Sequence, residues 1–63
     1  MSSEQIRKLL EDLLEQESTF MERYEKLAKE IKDRKVAGTI RSIAADEGRH
    51  AGNAKKMLEI LEE

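Results

Sequence analysis

Leu10-Glu11-Asp12-Leu13-Leu14-Glu15-Gln16-Glu17-Ser18-Thr19-Phe20-Met21-Glu22-Arg23-Tyr24 carries apolar residues at alternating steps of three and four, and one acid interrupts the row. That period is the face of an α-helix rather than the two-residue alternation of a strand. Extended in both directions, the stripe reads Ile6, Leu10, Leu13, Glu17, Phe20, Tyr24, Leu27 and Ile31. A second stripe follows: Val36, Ile40, Ile43, Glu47, His50, Ala54, Met57 and Leu61. Folding the chain back at residues 33 and 34 pairs Ile31 with Val36 and Leu27 with Ile40, and brings Glu17 level with His50. Glu47 lies about 4.5 Å away along the axis, three residues of helical rise.

The helices have legible ends. Ser2 and Gln5 stand at the spacing of a capping box, and Asp33 suits the N-cap of a second helix. Helix one is expected over about residues 3–32, a turn at 32–34 and helix two over 35–61, all within a single hairpin domain spanning 1–63. No proline interrupts either helix, and Leu, Glu, Lys and Arg dominate helix one. Gly38, Gly48 and Gly52 fall inside helix two, each costing about 0.8–1 kcal/mol relative to Ala. Gly48 and Gly52 flank Glu47 and His50, where a glycine admits close approach of a neighbouring backbone.

Two helices make a thin core. A 60-residue domain buries only about 60% of its unfolded surface, and this 63-residue chain has no cysteine, hence no disulfide and no thiolate metal site. A third apolar or small position accompanies each stripe: Leu14, Met21 and Ala28 in helix one, Ala37, Ala44, Ala51 and Leu58 in helix two. Three apolar positions in seven suit a four-helix bundle better than a two-stranded zipper. The expected fold is therefore all-α, an antiparallel two-helix hairpin that dimerises into a four-helix bundle. Charged residues make up 41% of the chain, interspersed and summing to −2, which argues against nucleic acid as the partner. No apolar run approaches the ~18 residues of a membrane span, and no signal-peptide profile opens the chain. A cytoplasmic protein is the expectation.

Burying two carboxylates and an imidazole without partners costs several kcal/mol per charge. A metal ion shared by Glu17, Glu47 and His50 removes that cost. Glu47-Gly48-Arg49-His50 puts a carboxylate and an imidazole one turn apart on one helix face, so both can grip the same ion. Alone this is a weak signal in a chain with 11 Glu; its weight comes from the third ligand at the same level. Carboxylate and imidazole donors suit Fe(II), Mn(II) or Zn(II). One chain supplies too few ligands for two ions, whereas two chains supply four carboxylates and two imidazoles. The competing reading is non-catalytic: a helical oligomerisation or interaction module with a structural metal, or one whose buried polar residues set register.

Glu17-Ser18-Thr19-Phe20-Met21-Glu22-Arg23-Tyr24 and Asp46-Glu47-Gly48-Arg49-His50-Ala51 resemble the ligand segments of rubrerythrins and other ferritin-like di-iron proteins. Those have Glu, a Tyr seven residues on, and Glu-x-x-His-Ala on the next helix. The half-motif occurs once here, which is similar to the encapsulated ferritins, whose two-helix subunits pair to complete a di-iron centre. The resemblance implies two Fe ions per dimer, Mn or Zn as substitutes, and Fe(II) oxidation by O2 or peroxide for iron storage or oxidant defence. It makes Glu17 a terminal carboxylate, Glu47 a bridging carboxylate and His50 a terminal imidazole, the three acting as ligands and as catalytic residues. Tyr24 becomes the phenol behind them. It further implies a homodimer or an oligomer of dimers, and admits an encapsulating protein shell. From the C-terminal Leu58-Glu59-Ile60-Leu61-Glu62-Glu63, a segment addressing such a shell is not expected. Without cysteine, an attached rubredoxin-type electron donor is not expected.

Overall fold

Two long helices pack side by side in a rod of 46 × 14 × 14 Å in the computed structural model, which describes residues 1–62. The radius of gyration is 14.5 Å, against about 11 Å for a compact globule of this length. Helix α1 spans Ser3–Glu30 and α2 spans Arg34–Leu61.

Capping chemistry sets the boundaries. The Ser2 hydroxyl accepts from the Gln5 amide N–H, while the Gln5 side chain accepts from the Ser2 N–H, completing a capping box. At the far end, Ile31 is extended (φ −87°, ψ 126°) and stops α1 at Glu30, two residues before the expected Lys32. The Asp33 carboxylate accepts from the Lys35 and Val36 N–H groups, both at 3.0 Å, and opens α2. A three-residue turn is too short for anything but an antiparallel return. At the open end, Arg7 ties α1 to Glu62 through a 3.4 Å ion pair.

The packing departs from the expected stripes. The buried residues are Ala28, Ala37, Ala44, Ala51, Ala54 and Leu58, with Leu10, Leu14, Met21 and Tyr24 half-buried against them. These are mostly the third apolar position of each repeat. Ile6, Leu13, Phe20 and Leu27 of the expected core stripe are 37–46% exposed, as are Val36, Met57 and Leu61 at 45–48%. The reason is volume. A seam floored by alanine lets two helices approach closely, whereas facing rows of Leu, Phe and Ile hold them apart. At about 100° per residue, each displaced stripe sits roughly a quarter turn from the seam. Because the helices are antiparallel, both offsets turn toward the same side. The hairpin therefore carries one open apolar face.

No helix among the described residues is long and apolar enough to cross a membrane.

Candidate metal centre

Glu17 lies near the middle of α1, and Glu47 and His50 lie one turn apart near the middle of α2. The structure brings the three together: one ligand atom from each lies within 4.8 Å of the others. Ligand–metal bonds of about 2.0–2.2 Å hold donor atoms about 3–4 Å apart, so modest side-chain rotation closes the trio on an ion.

Burial decides how the three carboxylate and imidazole groups behave. Glu17 and Glu47 are half-buried at the seam, while His50 stands on the open face, its side chain 48% exposed. His50 Nδ1 is 3.6 Å from Glu17 Oε2, too far for a hydrogen bond. Glu17 Oε2 is buried and has no hydrogen-bond partner. An orphaned carboxylate oxygen is costly. Its neighbours are another carboxylate and an imidazole, groups that join it through a shared cation or a shared proton.

The Glu47 carboxyl is held above its ordinary value by hydrogen bonding to Glu17, by partial desolvation and by the Glu17 charge, with His50 opposing. Two ionised carboxylates have no hydrogen to share. The missing partner of Glu17 Oε2 and the upward shift of Glu47 are two sides of one fact: an uncompensated pair of acids. A divalent cation fits the donor set, which is all oxygen and imidazole nitrogen with no thiolate.

Around the trio, Gly48 has a specific neighbour. A Cβ built there would stand 3.0 Å from Met21 Sδ, while Gly38 and Gly52 have nothing within 4 Å. The close approach expected at the two flanking glycines thus occurs at Gly48 alone, and a thioether rather than backbone makes it. Met21, legible beforehand only as an apolar position, packs beside the ligand pair one turn beyond Glu17. Tyr24 is half-buried two turns from Glu17, and no side-chain hydrogen bond among the described residues uses its hydroxyl. The remaining acids and bases near the site are surface groups, such as the Arg49–Asp46 pair at 3.1 Å.

Comparison with curated proteins and with solved structures found no match. The rubrerythrin family profile matches residues 8–63, which takes in Glu17, Glu47, His50, most of α1 and all of α2. With nearly the whole hairpin inside that match, the chain belongs to the rubrerythrin family.

Proposed function

We propose that this protein binds iron at a carboxylate centre shared across a homodimer and oxidises Fe(II) with O2 or peroxide. The observation that carries the reading is the partnerless Glu17 Oε2, grouped with Glu47 and His50 at mid-rod. One hairpin offers two carboxylates and one imidazole, and a two-fold copy doubles that to the inventory of a two-metal bundle.

The open face supports the dimer. An alanine methyl contributes about 0.8 kcal/mol on burial, a Leu or Phe side chain about 1.5–3 kcal/mol. The hairpin buries mainly alanines and leaves Leu9, Leu13, Phe20, Leu27, Val36 and Met57 44–48% exposed. Most of its capacity for apolar burial therefore lies on the face that carries His50. A contiguous apolar face of this kind marks an interaction surface. Closing it over a second copy would give a four-helix bundle with the ligands inside.

In this reading Glu17 and His50 would hold the metal from opposite helices, with the carboxylate of Glu47, beside both, as a further ligand. Bound iron supplies the redox electrons for reducing O2 or peroxide. The carboxylates supply the negative charge that favours the oxidised metal and the sites that take up or release protons. Leu13 and Phe20, in the closed bundle, exclude bulk water from the centre. Iron storage and oxidant defence are both served by such a reaction.

The test is stoichiometric. Protein purified without added metal is analysed for iron, manganese and zinc, then mixed with Fe(II) while O2 uptake is recorded. Two ions per dimer with O2 consumption supports the reading. Metal bound without any uptake of O2 or peroxide reduces it to a structural metal site, and no metal at all leaves a register-setting polar core.

A further inference from the structure

Asp12, Gln16, Thr19 and Arg23 form one row along α1, at steps of four, three and four. The row lies at the outer edge of the open face, beside Phe20, and with Glu15 and Phe20 it lines a shallow groove. Its spacing reads the same in both directions, and its midpoint falls between residues 17 and 18, at the level of Glu17. Its chemistry does not read the same: an acid stands at one end and a base at the other.

We propose that this row is the self-recognition edge of the dimer, on which a second copy docks with its α1 antiparallel, pairing Asp12 with the partner's Arg23 and Gln16 with the partner's Thr19. The proposal rests on the shared-centre reading and adds to it the orientation of the copies and the residues that select it.

A two-fold axis lying along the open face, at right angles to the helices, places α1 of one copy over α1 of the other. At the level of Glu17 that axis exchanges positions 12 and 23, and positions 16 and 19. Asp12 and Arg23 are about 16.5 Å apart along the helix, so two ion pairs flank the centre symmetrically. A two-fold axis parallel to the helices instead lays α1 over the partner's α2, so the two rows fall on opposite edges of the bundle and Asp12 and Arg23 find no partner.

The charges are available for this. Arg23 is exposed and makes no ion pair among the described residues. Asp12 Oδ1 accepts from Lys8 Nζ at 3.2 Å, an i,i+4 contact whose side chains are 72% and 48% exposed. Such a surface pair is weak, and the second carboxylate oxygen of Asp12 remains for an arginine. Gln16 and Thr19 offer complementary donors and acceptors between the charged ends. Edge pairs of this sort set partner and orientation in helical bundles.

The experiment is a charge swap on the full chain, read by sedimentation equilibrium with helicity checked by circular dichroism. Asp12→Arg and Arg23→Asp are measured singly and together. Each single variant should raise the dimer dissociation constant about tenfold or more, because two attractive contacts become repulsive. The double variant should recover to within about threefold of the original chain, since both pairs are restored with their signs exchanged. Single variants that dimerise like the original chain, or a double variant no better than the singles, overturn the proposal. If the original chain still forms a dimer with two metals, the shared-centre reading survives that failure. An original chain that is monomeric when metal-loaded overturns both.

Discussion

Glu17 Oε2 and His50 Nδ1 face each other at 3.6 Å across the two helices, and Glu47 completes the trio from the turn before His50. The distance is too long for a hydrogen bond and short enough for both groups to reach a common ion. It also ties the chemistry to the fold. Either helix sliding by one turn, about 5.4 Å, would separate the two groups beyond any shared ligand.

Metal should stabilise the fold by an amount that grows with the logarithm of the free metal concentration once the site is filled. At free Fe(II) or Mn(II) 100 times the dissociation constant, the gain is about 2.7 kcal/mol per independent site. His50→Ala should abolish most of the rise in thermal midpoint, whereas Glu22→Ala, at an exposed position, should leave it intact. Chelation that leaves the midpoint of the original protein unchanged would count against a metal site.

The metal-free protein should respond to pH through Glu47. Its carboxyl is raised in the folded state, chiefly by hydrogen bonding to Glu17, so the folded form binds the proton more tightly than the unfolded chain. That contribution is fully present below the unfolded value near 4.5 and is lost as pH rises through the raised folded value. Glu17→Ala removes both the hydrogen-bonding partner and the neighbouring negative charge and should flatten this component. Thermal melts between pH 4 and 7, comparing the two proteins without metal, measure it; parallel curves would refute the assignment.

Phe20 is 44% exposed on the open face. Phe20→Glu should shift a micromolar sample from dimer toward monomer, with metal affinity falling alongside because half the ligands depart. Sedimentation with and without metal reads both effects, and a dimer unchanged in both states would place the interface elsewhere.

Ala44, 4% exposed, sits in the seam between the helices. Ala44→Leu should destabilise by about 1–3 kcal/mol by overpacking. The same added bulk at an exposed position, Ala45→Leu, should cost far less. Urea titrations of both variants at one protein concentration test which apolar row faces inward.

Asp33 caps α2 through two hydrogen bonds at 3.0 Å. Asp33→Ala should cost about 0.5–2 kcal/mol, measured by denaturant titration. Asp33→Asn, which keeps an acceptor oxygen, should recover most of it.

Much of this was readable before any coordinates. Helical periodicity, the Ser2–Gln5 box and the Asp33 cap are local properties, each set by residues three or four apart, and they appear where the sequence puts them. The early end of α1 was not legible, because no proline or glycine marks Ile31 as extended. Glu17, Glu47 and His50 could be brought level by counting residues from the turn, since antiparallel helices of equal rise keep register by arithmetic.

What counting could not decide was which apolar row faces inward. Leu13, Phe20 and Leu27 share their seven-residue period with Leu14, Met21 and Ala28, so periodicity alone permits either seam. The sequence by itself determined two capped helices, an antiparallel return and the common height of Glu17, Glu47 and His50. The tertiary structure decided that the alanine-lined row closes the hairpin while Leu13, Phe20, Leu27, Val36 and Met57 stay outside. The reason is side-chain volume at the contact: small residues let the helices meet closely along their whole length. That choice leaves Phe20 and His50 on one open face, beside the buried oxygen of Glu17.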